Sequence, residues 1–83
     1  IAAHNVSSPV ATLAACHACA TMRNFSVIEF HAQDVPWWNG LVLSGEPLIQ
    51  NGYITLPDKP GLGLELNEDV ARAHLSPGAT FFE

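Results

Sequence analysis

His4 and Glu29 are the two residues of this 83-residue sequence whose types and spacing best suit proton chemistry. Each closes a short apolar run, Ile1 to Ala3 and Phe25 to Ile28, and one helix-like segment lies between the runs. A strand, helix, strand order joins neighbouring parallel strands, so both side chains are expected at strand carboxyl ends, where α/β barrels carry their chemistry. A neutral imidazole there takes a proton at physiological pH, provided a carboxylate holds its other ring nitrogen. The sequence shows no obvious local candidate for that carboxylate, and a histidine at a strand end is also a common hydrogen-bonded structural group. Glu29 is the more telling residue. After a buried strand an ionised carboxylate is expensive unless it meets a ligand, a metal or a donor, the alternative being a salt bridge to a missing basic residue. His31, two positions on, points to the same side as Glu29 if the strand continues, and would help line the same site.

Other candidates carry less. Cys16-His17-Ala18-Cys19 has the wrong order for haem attachment and no second ligand pair for zinc. A redox pair belongs at a helix amino end, whereas these thiols fall mid-helix, so core packing is expected and no metal ligand is assigned within the sequence. Trp37 and Trp38 either wall a pocket or plug their loop. Gly61-Leu-Gly63 lacks the third glycine of a dinucleotide fingerprint and reads as a turn. His74, late in a short helix, complements the helix dipole.

The elements that must position these residues are legible in outline. Ser8 can cap a helix that Pro9 opens, and the helix is expected to run to about Met22, with Asn24 as a left-handed stop. Its small-residue interior permits close approach on more than one side. Phe25 to Glu29 reads as a short parallel strand buried on both faces. His31 to Gly40 is loop-like, with Pro36 barring helix through Val35. Leu48 to Leu56 is a β-hairpin, because Asn51-Gly52 is the pair a type I′ turn demands. Asp58 to Gly63 is a turn-rich connector, and Asn67 caps a last helix from Glu68 to about His74.

Composition narrows the function. The formal charge is −5 with only three basic residues, Arg23, Lys59 and Arg72, so no patch neutralises several phosphates and neither nucleic acid nor an anionic membrane is an expected partner. No apolar run outside the Ala-rich segment approaches the roughly 20 residues of a membrane span. Cysteines three apart in one helix are poorly placed for an internal disulfide, which suits a reducing cytoplasm. The chain is short for a domain, able to bury about 60 to 65% of its unfolded surface. Yet 48% of its residues are hydrophobic, and it opens on Ile-Ala-Ala-His with no initiator Met or signal peptide. Part of a larger domain is expected, its first strand cut short at the amino end.

These pieces in order resemble the carboxy-terminal portion of the enolase superfamily, in the mandelate racemase and muconate lactonizing enzyme branch. The resemblance rests on His4-Asn5, Ser8-Pro9 and the Ala-rich helix, on Asn24-Phe25 leading into Val-Ile-Glu29, on the Asn-Gly-Tyr-Ile hairpin, and on Pro-Asp-Lys-Pro-Gly-Leu-Gly-Leu-Glu-Leu-Asn-Glu. Within the branch it is nearest to galactonate- and gluconate-type sugar-acid dehydratases. It implies an α/β fold: the last two strands and intervening helix of a (β/α)7β TIM-type barrel over residues 1–45. Residues 46–83 would then be a hairpin and helix returning toward a capping domain.

The resemblance further implies that His4 is the acid/base at the end of the seventh strand. Glu29, at the end of the eighth, would bind the substrate carboxylate or the enediolate; held neutral in a low-dielectric setting, it could donate a hydrogen bond to that oxyanion. Asn5, His31 and Trp37 are the expected substrate contacts. The implied cofactor is Mg2+, with its ligands upstream of Ile1, so the 83 residues alone are expected to be inactive. The partner would be a small-molecule sugar acid, and the parent a homo-oligomer. The rivals are a racemase, epimerase or cycloisomerase on the same scaffold, and a non-catalytic binding module using Trp37, Trp38 and the hairpin.

Overall fold

The computed structural model describes residues 1–32 and 34–81. Its centre is a parallel β-α-β unit: β1 (Ala2–Ala3), α1 (Pro9–Cys19) and β2 (Val27–Ile28), with Ala2 opposite Val27 and Ala3 opposite Ile28. Backbone bonds from Ser26 N to Ile1 O (2.8 Å) and from Glu29 N to Ala3 O (2.9 Å) extend the pairing on either side. A short α2 (Glu68–Ala73) closes the chain's ordered elements.

Helix α1 starts as the sequence demands. Ser8 is extended, its Oγ accepts from Ala11 N at 3.4 Å, and Pro9 opens the first turn, where its missing N–H matters least. Pro9, Thr12, Leu13 and Cys19 form the buried stripe. The helix stops three residues before Met22. Thr21 N bonds Ala18 O and Met22 N bonds Cys19 O, tightening the last turn, while Thr21 Oγ takes the same Ala18 carbonyl at 2.7 Å. Ala20 is therefore the cap, in right-handed conformation. Asn24 is not the left-handed stop expected of it, because Asn51 is the sole non-glycine residue with positive φ among the described residues.

The strand at 25–29 also departs from expectation. Phe25 and Val27 are 40% and 55% exposed rather than buried. A two-stranded sheet offers β2 one neighbour, and an open cleft of about 500 Å³, lined by Thr12, Cys16, Phe25, Ile28 and Tyr53 among others, separates it from α1.

The turn at Asn51-Gly52 has φ of 52° and 79°, as type I′ requires, and Gln50 and Tyr53 exchange two 2.9 Å backbone bonds. The ladder ends there, one pair long. Leu48 N turns instead to the side-chain oxygen of Asn39 at 3.2 Å, which removes the next cross-hairpin donor.

An antiparallel bridge that the sequence did not suggest joins Val42 to Leu66, with Leu43 N on Glu65 O (2.9 Å) and Asn67 N on Leu41 O (2.8 Å). These bonds cross the expected division at residues 45 and 46. They set α2, capped by Asn67 Oδ1 on Val70 N, against a 3-10 turn at Asn39–Leu41, inside a stretch read only as loop.

Gly63 illustrates a backbone that admits no other residue. Its φ is +83°, and a Cβ there would lie 2.3 Å from Cγ and 2.7 Å from Cβ of Pro57, a ring that cannot swing away. Gly63→Ala is expected to destabilise the chain by about 1–3 kcal/mol. Gly61, with φ +66° and open space around its Cβ position, bears only the conformational part of that cost, so Gly61→Ala should be milder when the two variants are compared by urea titration.

Candidate active site

Neighbouring strands run about 4.8 Å apart, so the residues that follow an in-register pair lie side by side. Ala3 is opposite Ile28, and the next residues are His4 and Glu29. Their side chains meet: Nδ1 of His4 is 2.7 Å from Oε2 of Glu29. The expected juxtaposition at one rim is what the fold builds, and the carboxylate partner that the sequence seemed to lack for His4 is Glu29 itself. With Glu29 ionised, Nδ1–H donates to it and Nε2 is left to take or give a proton. The pair is solvent-facing, with side chains 73% and 44% exposed. The low-dielectric setting anticipated for Glu29 is not built by the described residues, and neither residue lines the cleft between α1 and β2.

His31 joins the pair, its ring centroid 5.7 Å from that of His4 and tilted by 44°. The i, i+2 spacing from Glu29 was the signal, and it holds although the strand ends at Ile28.

Asn5, the first of the expected substrate contacts, is bonded within the chain. It is only 4% exposed, and its amide and the hydroxyl of Thr12 hold each other at 3.1 and 3.3 Å, tying the loop after β1 to α1. Trp37, another expected substrate contact, stacks on His74 at 4.0 Å, against α2. Trp38 is buried, its Nε1 donates to Ser7 O at 2.8 Å, and Phe30 meets it edge-on at 4.9 Å. It plugs the loop. The two tryptophans thus form no common exposed face of the kind a binding module would use.

In α1, Cys19 is buried and His17 Nε2 reaches Leu62 O at 2.9 Å, as packing groups do. Burial pushes the Cys16 thiol above its ordinary pKa, and Cys19 beside it adds to the rise, opposite to what a reactive thiol needs. His74 Nδ1 bonds Val70 O at 2.9 Å, satisfying a terminal carbonyl of α2 as expected. No helix of the described residues is long and apolar enough to cross a membrane.

Mg2+ demands near-octahedral oxygen ligands. Among the described residues, the one group of three ligating side chains is His4, Glu29 and His31, two nitrogens and a carboxylate, which does not suit it.

The chain is thus an α/β piece whose parallel β-α-β unit sets a histidine and a glutamate side by side at adjacent strand ends. Comparison with known proteins gives the family: the Enolase C-terminal domain-like model matches residues 1–70, and the chain belongs to that family. It is 43% identical over its whole length to a D-xylonate dehydratase of Haloferax volcanii, covering 20% of that protein. It is 33% identical to a D-gluconate/D-galactonate dehydratase of Picrophilus torridus, over 99% of the chain and 21% of the relative. The crystal structure of a mandelate racemase/muconate lactonizing enzyme-like protein from Rubrobacter xylanophilus superposes with a TM-score of 0.88 at 52% identity, over 96% of this chain and 21% of that one. The chain thus spans about a fifth of the length of the proteins it matches.

Proposed function

We propose that this chain works as the carboxy-terminal part of a sugar-acid dehydratase, residues 1–45 contributing the last two strands and connecting helix of a (β/α)7β barrel and residues 46–83 reaching toward a capping domain. The observation that carries the proposal is the 2.7 Å contact of His4 with Glu29 at adjoining strand ends. Named relatives that dehydrate D-xylonate and D-gluconate or D-galactonate support it.

The chemistry asked of the pair is modest and specific. Dehydration removes the proton α to a carboxylate and the hydroxyl on the next carbon; the two leave as water, and the enol tautomerises to a 2-keto-3-deoxy acid. His4 moves a proton through Nε2, either taking the α-proton or protonating the departing hydroxyl. Glu29 accepts from Nδ1–H through Oε2 and fixes the ring; with a proton on its other oxygen it would donate to the substrate's carboxylate oxygens as charge develops on them. His31 lines the same rim. The Mg2+ that the family resemblance implies would have its ligands outside these 83 residues.

The test is product analysis. The protein carrying this segment, incubated with Mg2+ and a panel of D-xylonate, D-gluconate and D-galactonate, is expected to release 2-keto-3-deoxy acid, and the 83-residue chain alone none. Solvent exchange or inversion at the α-carbon without water loss would move the reading to a racemase or epimerase. Neither product nor exchange with any acid would end it.

A further inference from the structure

The group at the rim is larger than proton transfer requires. His4, Glu29 and His31 each offer one donor atom, and the three atoms lie within 4.8 Å of one another. Ligand atoms around a tetrahedral ion with bonds of about 2.0–2.1 Å stand roughly 3.3 Å apart. Seating such an ion therefore needs donor shifts on the order of an ångström, and all three side chains are exposed and free to make them. The salt bridge of Glu29 recorded among the described residues is to His4, a fellow ligand, so no lysine or arginine has to be displaced there. The formal charge of −5 favours a cation.

The donor set selects the ion. Two imidazoles and one carboxylate suit borderline first-row divalent ions and leave coordination positions open, whereas Mg2+ prefers oxygen throughout. The other ligand-rich stretch, Cys16 to Cys19, does not gather three donors: His17 is taken by the Leu62 carbonyl and Cys19 is buried.

We propose that His4, Glu29 and His31 form a binding site for a divalent transition-metal ion of the Zn2+ and Co2+ type, whether or not the same pair also moves protons. The i, i+2 spacing from Glu29 puts His31 at this rim, and the fold adds its approach to His4, with ring centroids 5.7 Å apart.

Co2+ is the probe, titrated into the 83-residue chain and followed by its visible d–d absorption. One ion per chain is expected to bind saturably, without a near-ultraviolet thiolate-to-cobalt charge-transfer band. His31→Ala and Glu29→Gln should each weaken binding by about tenfold or more, since losing a ligand costs at least as much as losing its outer-shell support. His17→Ala should leave it unchanged. Because His31 and Glu29 are exposed, both variants should keep the helical circular-dichroism signal of the parent chain. Equal affinity in His31→Ala, a thiolate band from Cys16 and Cys19, or no saturation up to millimolar Co2+ would each overturn the site.

Discussion

His4→Asn, in the protein that carries this segment, is expected under the proposed dehydratase function to lower kcat on a sugar acid by about 100- to 10,000-fold, the span that general acid–base groups contribute. KM should change far less, because the loss falls on a proton in flight rather than on ground-state contacts. Asparagine can still bond Glu29 but has no nitrogen that titrates, so the variant separates positioning from proton transfer. Steady-state kinetics on folded protein, checked by circular dichroism, decide the matter. Ordinary turnover would remove His4 from the mechanism. Glu29→Gln is the companion: it spares the volume of the side chain while removing the charge that fixes the His4 ring, and a milder loss of kcat is expected.

The second large effect is on stability. Trp38→Ala should cost about 3–5 kcal/mol, the range for removing a buried large aromatic. Its ring is only 5% exposed, it packs edge-on against Phe30, and its N–H satisfies the carbonyl of Ser7. Truncation leaves a void and an orphaned acceptor together. Chains this small hold few kcal/mol in reserve, so the variant is expected to lose its cooperative urea transition. Trp37→Ala serves as the comparison, since Trp37 keeps about a third of its surface exposed and stacks on His74 without a side-chain hydrogen bond among the described residues; its midpoint should move less.

What could be read in advance follows from the range of the interactions involved. The start of α1 at Ser8-Pro9, the turn at Asn51-Gly52 and the cap at Asn67 are local, encoded within four residues, and all three stand in the structure. The pairing of His4 with Glu29 was legible because a β-α-β connection leaves little choice about where the two strand ends go. The contacts that could not be read in advance are mostly non-local. Asn5 looks like a rim residue until Thr12 claims its amide, and Trp37 until His74 stacks on it; both partners are set by packing, not by neighbours in sequence. The Val42 to Leu66 bridge joins segments that carry no alternating pattern, so periodicity could not reveal it. Helix α1 ends early through a contact that is itself local, the Thr21 hydroxyl competing for Ala18 O three residues back, which neither propensity nor periodicity encodes.

The alignment of β1 on β2 has a consequence for how the rim tolerates change. Only two residue pairs and the flanking bonds of Ser26 and Glu29 hold the strands in step. A slide by a single position would set the imidazole opposite Ile28 or Phe30 and turn one partner to the other side of the sheet. The two strands thus act as a vernier: the His4 and Glu29 side chains coincide at one setting alone. Substitutions that loosen this alignment without touching either side chain should silence the rim as completely as deleting the imidazole.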